Sequence, residues 1–211
     1  VSVASGILDA NPRDLFMSNN GIEHQQREDQ SVTFRELFDS VGAIEVEVAV
    51  SPGSPNHIIN SFGAHFAEIE IDITSGRVTV LRYVAAHDSG RILNPKLAIN
   101  QVEGGVSQML GFTLSEQMLI DHRSGVTLNA SFLEHKSPTI KEYPDIQVLF
   151  ADVTDPIGPF GAKALGEPPS IGVAPAVANA VYDAIGIRYR DLPMSPDRIL
   201  NVIAEQKDLI K

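Results

Sequence analysis

The sequence predicts an α+β protein in which helices pack on antiparallel or mixed sheets. Two neighbouring runs, residues 66–73 and 77–86, alternate apolar and polar side chains on either side of Thr74-Ser75-Gly76. Period-2 alternation across such a turn is the signature of a β-hairpin. Other segments, at 34–41, 96–111 and 170–185, repeat apolar residues at helical spacing instead. Hairpins and helices mixed along one chain point to segregated sheets with helices laid on them.

Composition narrows the class. The 211 residues suffice for one large domain or two small ones with a real core, and 43% hydrophobic content suits a folded chain. A formal charge of -11 argues against a nucleic-acid partner, and no apolar run approaches a membrane span. Cysteine is absent, which excludes disulfides, thiolate catalysis and iron–sulfur or Cys-zinc sites within this chain. That is compatible with a reducing compartment, and a cytoplasmic location is expected. The opening Val1-Ser2-Val3-Ala4-Ser5-Gly6-Ile7-Leu8 has neither an initiator Met nor a signal-peptide charge pattern. It reads as a helix end belonging to something longer, so residues 1–42 are expected to continue from a missing upstream part and 43–211 to form the main domain.

Taken in order, the chain offers a turn at Asn11-Pro12 and a short hairpin, 14–18 with 21–24, across Asn19-Asn20-Gly21. A helix is expected to open at residues 31–36, with Thr33 and Glu36 spaced as a capping box, and to end at Gly42. Residues 43–50 alternate Ile44, Val46, Val48 and Val50 against Glu45 and Glu47, a half-buried strand. After the 66–86 hairpin comes the 96–111 helix, whose Gly104-Gly105 pair costs about 1 kcal/mol per glycine against alanine. A helix that accepts such glycines has something pressed against it. Further strands are expected at 116–120, 126–129, 146–153 and 187–190, with an irregular stretch at 130–145. An alanine-rich helix is expected at 170–185, and a last one, capped by Ser195-Pro196, runs to about residue 206.

The densest concentration of unusual residues is Gly158-Pro159-Phe160-Gly161-Ala162-Lys163-Ala164-Leu165-Gly166-Glu167-Pro168-Pro169. Glycines let a backbone approach a ligand closely, and the prolines stiffen the segment that carries Glu167. Proline also disfavours the α region in the residue before it, so Glu167 is expected to be extended. Glu167 reads either as an exposed acid favoured by the following helix, or as a general base whose pKa partial burial would raise. Lys163 reads as a solvated lysine, as an ion-pair partner of Glu167, or as a phosphate contact. Gln101, early in the glycine-containing helix, offers both donor and acceptor groups to a heterocycle's edge, although a lone helical Gln is usually solvated. The six histidines (24, 57, 65, 87, 122 and 135) show no metal-ligand spacing, so no metal ligand is expected from this chain. His87 and Asp88 lie at a strand end, where loops carry function.

Three ordered segments resemble the xanthine dehydrogenase/aldehyde oxidase family of molybdenum hydroxylases. Residues 161–169 resemble its catalytic-glutamate motif. Asp88-Ser89-Gly90-Arg91-Ile92-Leu93-Asn94-Pro95 followed by Asn100-Gln101-Val102-Glu103-Gly104-Gly105 resembles a second family segment, and residues 62–72 a third. The likeness covers about residues 43–186. It implies the molybdopterin-binding fold of that family and the C-terminal part of its molybdopterin-binding subunit. By that resemblance Gln101 matches a glutamine that hydrogen-bonds the pterin, with Gly104 beside it. Lys163, Ala164, Leu165 and Gly166 match a loop running along the cofactor. Glu167 matches the base that deprotonates a metal-bound hydroxyl before it attacks an electron-poor carbon.

The expected reaction is hydroxylation of an N-heteroaromatic, a purine or an aldehyde, with water as oxygen source. The expected cofactor is molybdenum-molybdopterin in the cytosine dinucleotide form, with [2Fe-2S] clusters and FAD carried on partner subunits. The expected partners are the upstream half of the molybdopterin subunit, an iron–sulfur subunit, an FAD subunit and a small-molecule substrate, without which the chain should be inactive. The alternative is a non-catalytic assembly module that keeps the fold and not the chemistry.

Overall fold

In the computed structural model, which describes residues 1–45, 47, 56–58 and 60–205, the chain divides into two units, Val1–Pro52 and Gly53–Lys211. The first unit contains α1 (Ser2–Leu8), a 3-10 turn at Pro12–Asp14, strands β1 (Leu15–Met17), β2 (Gly21–His24) and β3 (Ser31–Thr33), and α2 (Phe34–Val41). The strands form one antiparallel sheet in the order β1-β2-β3. Ala4, Leu15, Ile22, Val32 and Leu37 close its small core. The capping box at α2 is present. Thr33 Oγ1 accepts from the Glu36 amide at 3.2 Å, and the Glu36 carboxylate accepts from the Thr33 amide at 3.0 Å. Because this fixes Thr33 as N-cap, residues 31–33 are not helical, as the sequence suggested, but form β3. Of the strand expected at 43–50, residues 43–45 and 47 are described and lie in no strand, and the rest fall outside the described residues.

The second unit is built on the long hairpin. β4 (Phe62–Asp72) and β5 (Arg77–Asp88) pair antiparallel from Phe62↔Asp88 to Asp72↔Arg77, with a bulge between Glu68 and Ile69. β6 (Asp145–Phe150) joins the other edge of β5 in parallel, so the sheet is mixed. Along β4 the alternation is as expected: Glu68, Glu70 and Asp72 are exposed, while Ala67, Ile69 and Ile71 pack on the core. α3 (Pro95–Leu114) presents Val102, Val106 and Leu110, and α5 (Val173–Ile185) presents Val173, Val177 and Val181, to that core. Both sets recur every fourth residue, one helical face. Each fully buried valine contributes about 1.5–3 kcal/mol of transfer free energy. α4 (Pro168–Ile171) precedes α5, and α6 (Pro196–Glu205) closes the unit.

Four expectations change here. The pair of strands at 116–129 reduces to a single bridge, Ile120↔Thr127. The Asn129 side chain replaces the ladder, accepting from the Leu119 amide and donating to the Gln117 carbonyl. The strand at 146–153 stops at Phe150, where Asp152 takes a left-handed φ of 49°. Residues 187–190 form no strand: Ile187 is buried, and Arg188 turns back to Asn179 and stacks over the Tyr182 ring of α5. The 170–185 helix starts earlier and is split at Gly172, where a Cβ would lie 2.5 Å from the His65 ring.

Candidate functional site

The end of β5 and the glycine-rich stretch are bonded to one another. Lys163 donates its amide to the Ser89 carbonyl at 2.8 Å, the Arg91 amide reaches the Gly161 carbonyl at 2.7 Å, and Gly90 bridges Ala162. Gly90 has φ +69, and a Cβ there would sit 2.4 Å from the Gly161 oxygen, so the close approach requires glycine. The Lys163 side chain turns inward along this seam. Its Nζ donates to Asp88 Oδ2 at 2.7 Å and to the Asn60 carbonyl at 2.9 Å, and lies 5.7 Å from the centre of the Phe62 ring. Asp88 accepts the Gly90 amide through its other oxygen at 3.1 Å. The Lys163 hydrogen bond, and then the Gly90 amide, hold the Asp88 carboxyl below the usual carboxylate range. Lys163 therefore pairs with Asp88 and not with Glu167. No spacing in the sequence joins them, because they stand 75 residues apart.

Two further bonds hold the run that follows. Ser61 Oγ donates to the Ala164 carbonyl at 2.8 Å, and Gln101 Nε2 donates to the Gly166 carbonyl at 3.1 Å. The two glycines of α3 serve different ends. Gly105 is buried, and a Cβ there would meet Pro169 Cβ at 2.9 Å and Ser170 Oγ at 3.1 Å, so α4 is what presses on the helix. Gly104 is exposed and has nothing within 4 Å of a built Cβ.

Glu167 is exposed, not partly buried, and among the described residues its carboxylate has no hydrogen bond or ion pair. Its backbone is in the α region, φ −84 and ψ −35, and not extended. Proline's preference is outweighed because Glu167 is continuous with the first turn of α4, accepting the Ser170 amide at 2.8 Å. The carboxylate stands in a cleft of about 480 Å³ whose lining includes Asn60, Ser61, Lys163, Gly166 and Ile171.

The backbone of this cleft is suited to a large polar ligand. Among the described residues, the N–H groups of Ala164, Leu165, Gly166 and Glu167 donate to no group of the chain. These residues are exposed or half-buried, so the successive donors are open to the acceptors of a ligand. A Cβ at Gly166, as at Gly104, would meet nothing within 4 Å, leaving the backbone open to close approach. Gln101 keeps its amide oxygen and a second N–H after serving Gly166. These groups fit a pterin-type cofactor with many acceptors. Lys163 fits it less directly than the sequence suggested, since its amide and its ammonium are both engaged inside the chain.

Behind the cleft lies a polar cluster that the sequence did not reveal, its members falling on two strands. Tyr83 is fully buried, and its hydroxyl is 2.8 Å from His65 Nδ1. The His65 ring meets that of His87 edge-on, 5.0 Å between centres. Burial first, and the neighbouring His87 second, lower the His65 pKa to about 4. Burial also holds His87, 2% exposed, below its ordinary value. Among the described residues no group of three or more His, Asp or Glu side chains is arranged to hold a metal ion. No described helix is long and apolar enough to cross a membrane.

Comparison with known proteins adds the following. The model of the molybdopterin cofactor-binding domain matches residues 1–144, a stretch that includes Asp88 and Gln101 and stops short of Glu167. The putative xanthine dehydrogenase molybdenum-binding subunit of Escherichia coli is 42% identical over 139 residues, 66% of this chain and 18% of that protein. The aldehyde oxidoreductase molybdenum-binding subunit of Escherichia coli is 37% identical over 167 residues, 78% of this chain and 23% of that one. The chain thus spans about a fifth of the length of these relatives. Among solved structures, reconstituted CO dehydrogenase from Oligotropha carboxidovorans superposes with a TM-score of 0.69 at 26% identity, covering 97% of this chain and 26% of that one. Quinoline 2-oxidoreductase from Pseudomonas putida shares the fold, with a TM-score of 0.71 at 24% identity over 96% of this chain and 27% of its own.

Proposed function

The chain belongs to the molybdopterin cofactor-binding domain family, of the xanthine dehydrogenase and aldehyde oxidase type, and on that premise we propose that it is the base-carrying wall of a molybdenum-dependent hydroxylase. The observation that carries this reading is an unpaired carboxylate, Glu167, directly following the free backbone donors of 164–166. Ala164, Leu165 and Gly166 would hold the pterin through those donors. Gly104 gives it room, and Gln101 uses its remaining amide groups on it while bracing Gly166. Lys163 lines the same cleft.

Bound there, the molybdenum cofactor would supply a two-electron oxidant. The part left to Glu167 is proton transfer: a carboxylate oxygen would accept the proton of a water-derived hydroxyl while the hydroxyl oxygen bonds to an electron-poor carbon, whose C–H bond breaks with its electron pair going to that oxidant. Substrates of this reaction class are N-heteroaromatics, purines and aldehydes. The names of the relatives, which include a xanthine dehydrogenase and an aldehyde oxidoreductase, support those classes. The small share of the relatives' length that the chain spans supports a need for the rest of the molybdenum subunit. Iron–sulfur and FAD partners, a cytosine dinucleotide cofactor and a cytoplasmic location complete the proposal.

Glu167→Gln in the complete enzyme tests it. Turnover should fall by about 10²–10⁴-fold, the range of general-base catalysis, with molybdenum content unchanged. Near-normal turnover removes Glu167 as the base. A complete complex that contains no molybdenum removes the whole reading.

A further inference from the structure

Lys163 is the residue whose surroundings least resemble a ligand contact. Its side chain is 9% exposed and that of Asp88 27%, whereas the Arg82–Glu68 pair lies open to solvent at 68% and 58%. Two of the three N–H groups of the ammonium are used, one on Asp88 and one on the Asn60 carbonyl, and the Phe62 ring lies within cation–π range. Asp88 is fixed in turn by the Gly90 amide at the end of β5. The carboxylate is thus mounted on the sheet, and the lysine it grips belongs to the loop that reaches Glu167 four residues later.

We propose that Asp88 is a positioning residue for Glu167, acting through Lys163; the proposal rests on the reading of Glu167 as base. A nearly buried ammonium is costly to leave without its counter-charge. Removing the Asp88 charge therefore drives Lys163 out toward water, and the chain on both sides of it must follow. The Ser89 bond to the Lys163 amide and the Gly90–Ala162 bridge lie on that path. Beyond them the run is held by Ser61 at Ala164 and by Gln101 at Gly166, and Glu167 opens the turn of α4. Displacements of about 1 Å in a reacting group can lower a rate by about 100-fold. Asp88 would then govern where the proton acceptor stands without touching substrate or cofactor.

The experiment compares Asp88→Asn and Lys163→Gln with the parent holoenzyme in three measurements: molybdenum content, kcat and KM per molybdenum, and hydrogen exchange of the bonded 161–163 amides. Asp88→Asn should retain molybdenum, leave KM within about twofold, lower kcat about 10- to 100-fold and speed exchange across 161–163. Lys163→Gln should show the same split, and the double variant should fall no further than the weaker single one, because both remove one interaction. If Asp88→Asn does not fold, Lys163→Gln carries the test, since Gln is uncharged and less dependent on a counter-ion. Unchanged kcat per molybdenum overturns the proposal, as does slow exchange identical to the parent's. Loss of molybdenum in Lys163→Gln alone also overturns it, by making Lys163 a cofactor contact. Glu167→Gln, run in parallel, separates the two readings: if it stays active the base assignment fails, while the exchange measurement still reports whether Asp88 fixes the segment.

Discussion

Two irregular stretches of the second unit, 158–172 and 117–140, contrast in what they bond to. Asn60, Ser61, Asp88, Ser89 and Gln101, all distant in sequence, hold the first. The second is held mainly by its own members: Asp121 by Ser124 and Arg123, Asn129 by Gln117 and Leu119, Glu134 by Ser131. Its side chains point outward, with Phe132 98%, Ile140 86% and Leu133 80% exposed. The difference separates two uses of non-repetitive backbone. A loop fastened to several elements has its geometry set in advance, as the role proposed for Glu167 requires. A self-contained stretch with bare apolar side chains leaves its geometry to whatever it meets.

Three measurements would break or sharpen that contrast. Gly90→Ala attacks the fastened loop where a methyl group meets the Gly161 oxygen at a left-handed φ. It should lower stability by about 2–3 kcal/mol, read as a shift in the urea midpoint of the chain; an unchanged midpoint would mean that the seam is loose. An effect of similar size is expected from acid. His65 stays neutral in the folded state down to about pH 4, whereas the unfolded chain takes up a proton near 6.5. Its contribution is fully present above pH 6.5 and is lost as pH falls from 6.5 toward 4. Melting temperatures over pH 8 to 4 should show the fall, and His65→Gln should flatten it; an equal slope in both proteins would assign the fall to other groups. The smallest effect belongs to the other stretch: Phe132→Ser should move the melting temperature of the chain alone by no more than the equivalent of about 0.5 kcal/mol, and a larger drop would show that the side chain is packed after all.

Local signals in the sequence were dependable where one segment decides its own structure. The hairpin read at 66–86, the helix read at 96–111 and the Thr33–Glu36 capping box all follow from neighbouring residues. Strands read at 116–129 and 187–190 failed because a strand needs a partner edge. There the available partners were an Asn side chain and a helix. The same limit applies to the candidate site. Gly104-Gly105 announced that something approaches α3, but only the structure shows that Pro169 meets Gly105 and leaves Gly104 open. Glu167 stood out within its own segment, whereas Gln101 was singled out by the family resemblance. Asp88 did not stand out as an anchor, because the meaning of its charge depends on a lysine 75 residues away. The extended conformation expected of Glu167 weighed one proline against an unseen helix turn.

The sequence distances in the first stretch bear on the order in which the protein assembles. Lys163 and Ala164 are tied to residues 103 positions earlier, and Gly166 to one 65 positions earlier. Such contacts close large loops, whose entropy must be met before the contact stabilises anything. Pairing of β4, β5 and α3 shortens those loops, so the seam costs less entropy once they are together than it would from the open chain. The place of Glu167 is thus set by the whole unit and not by its own segment.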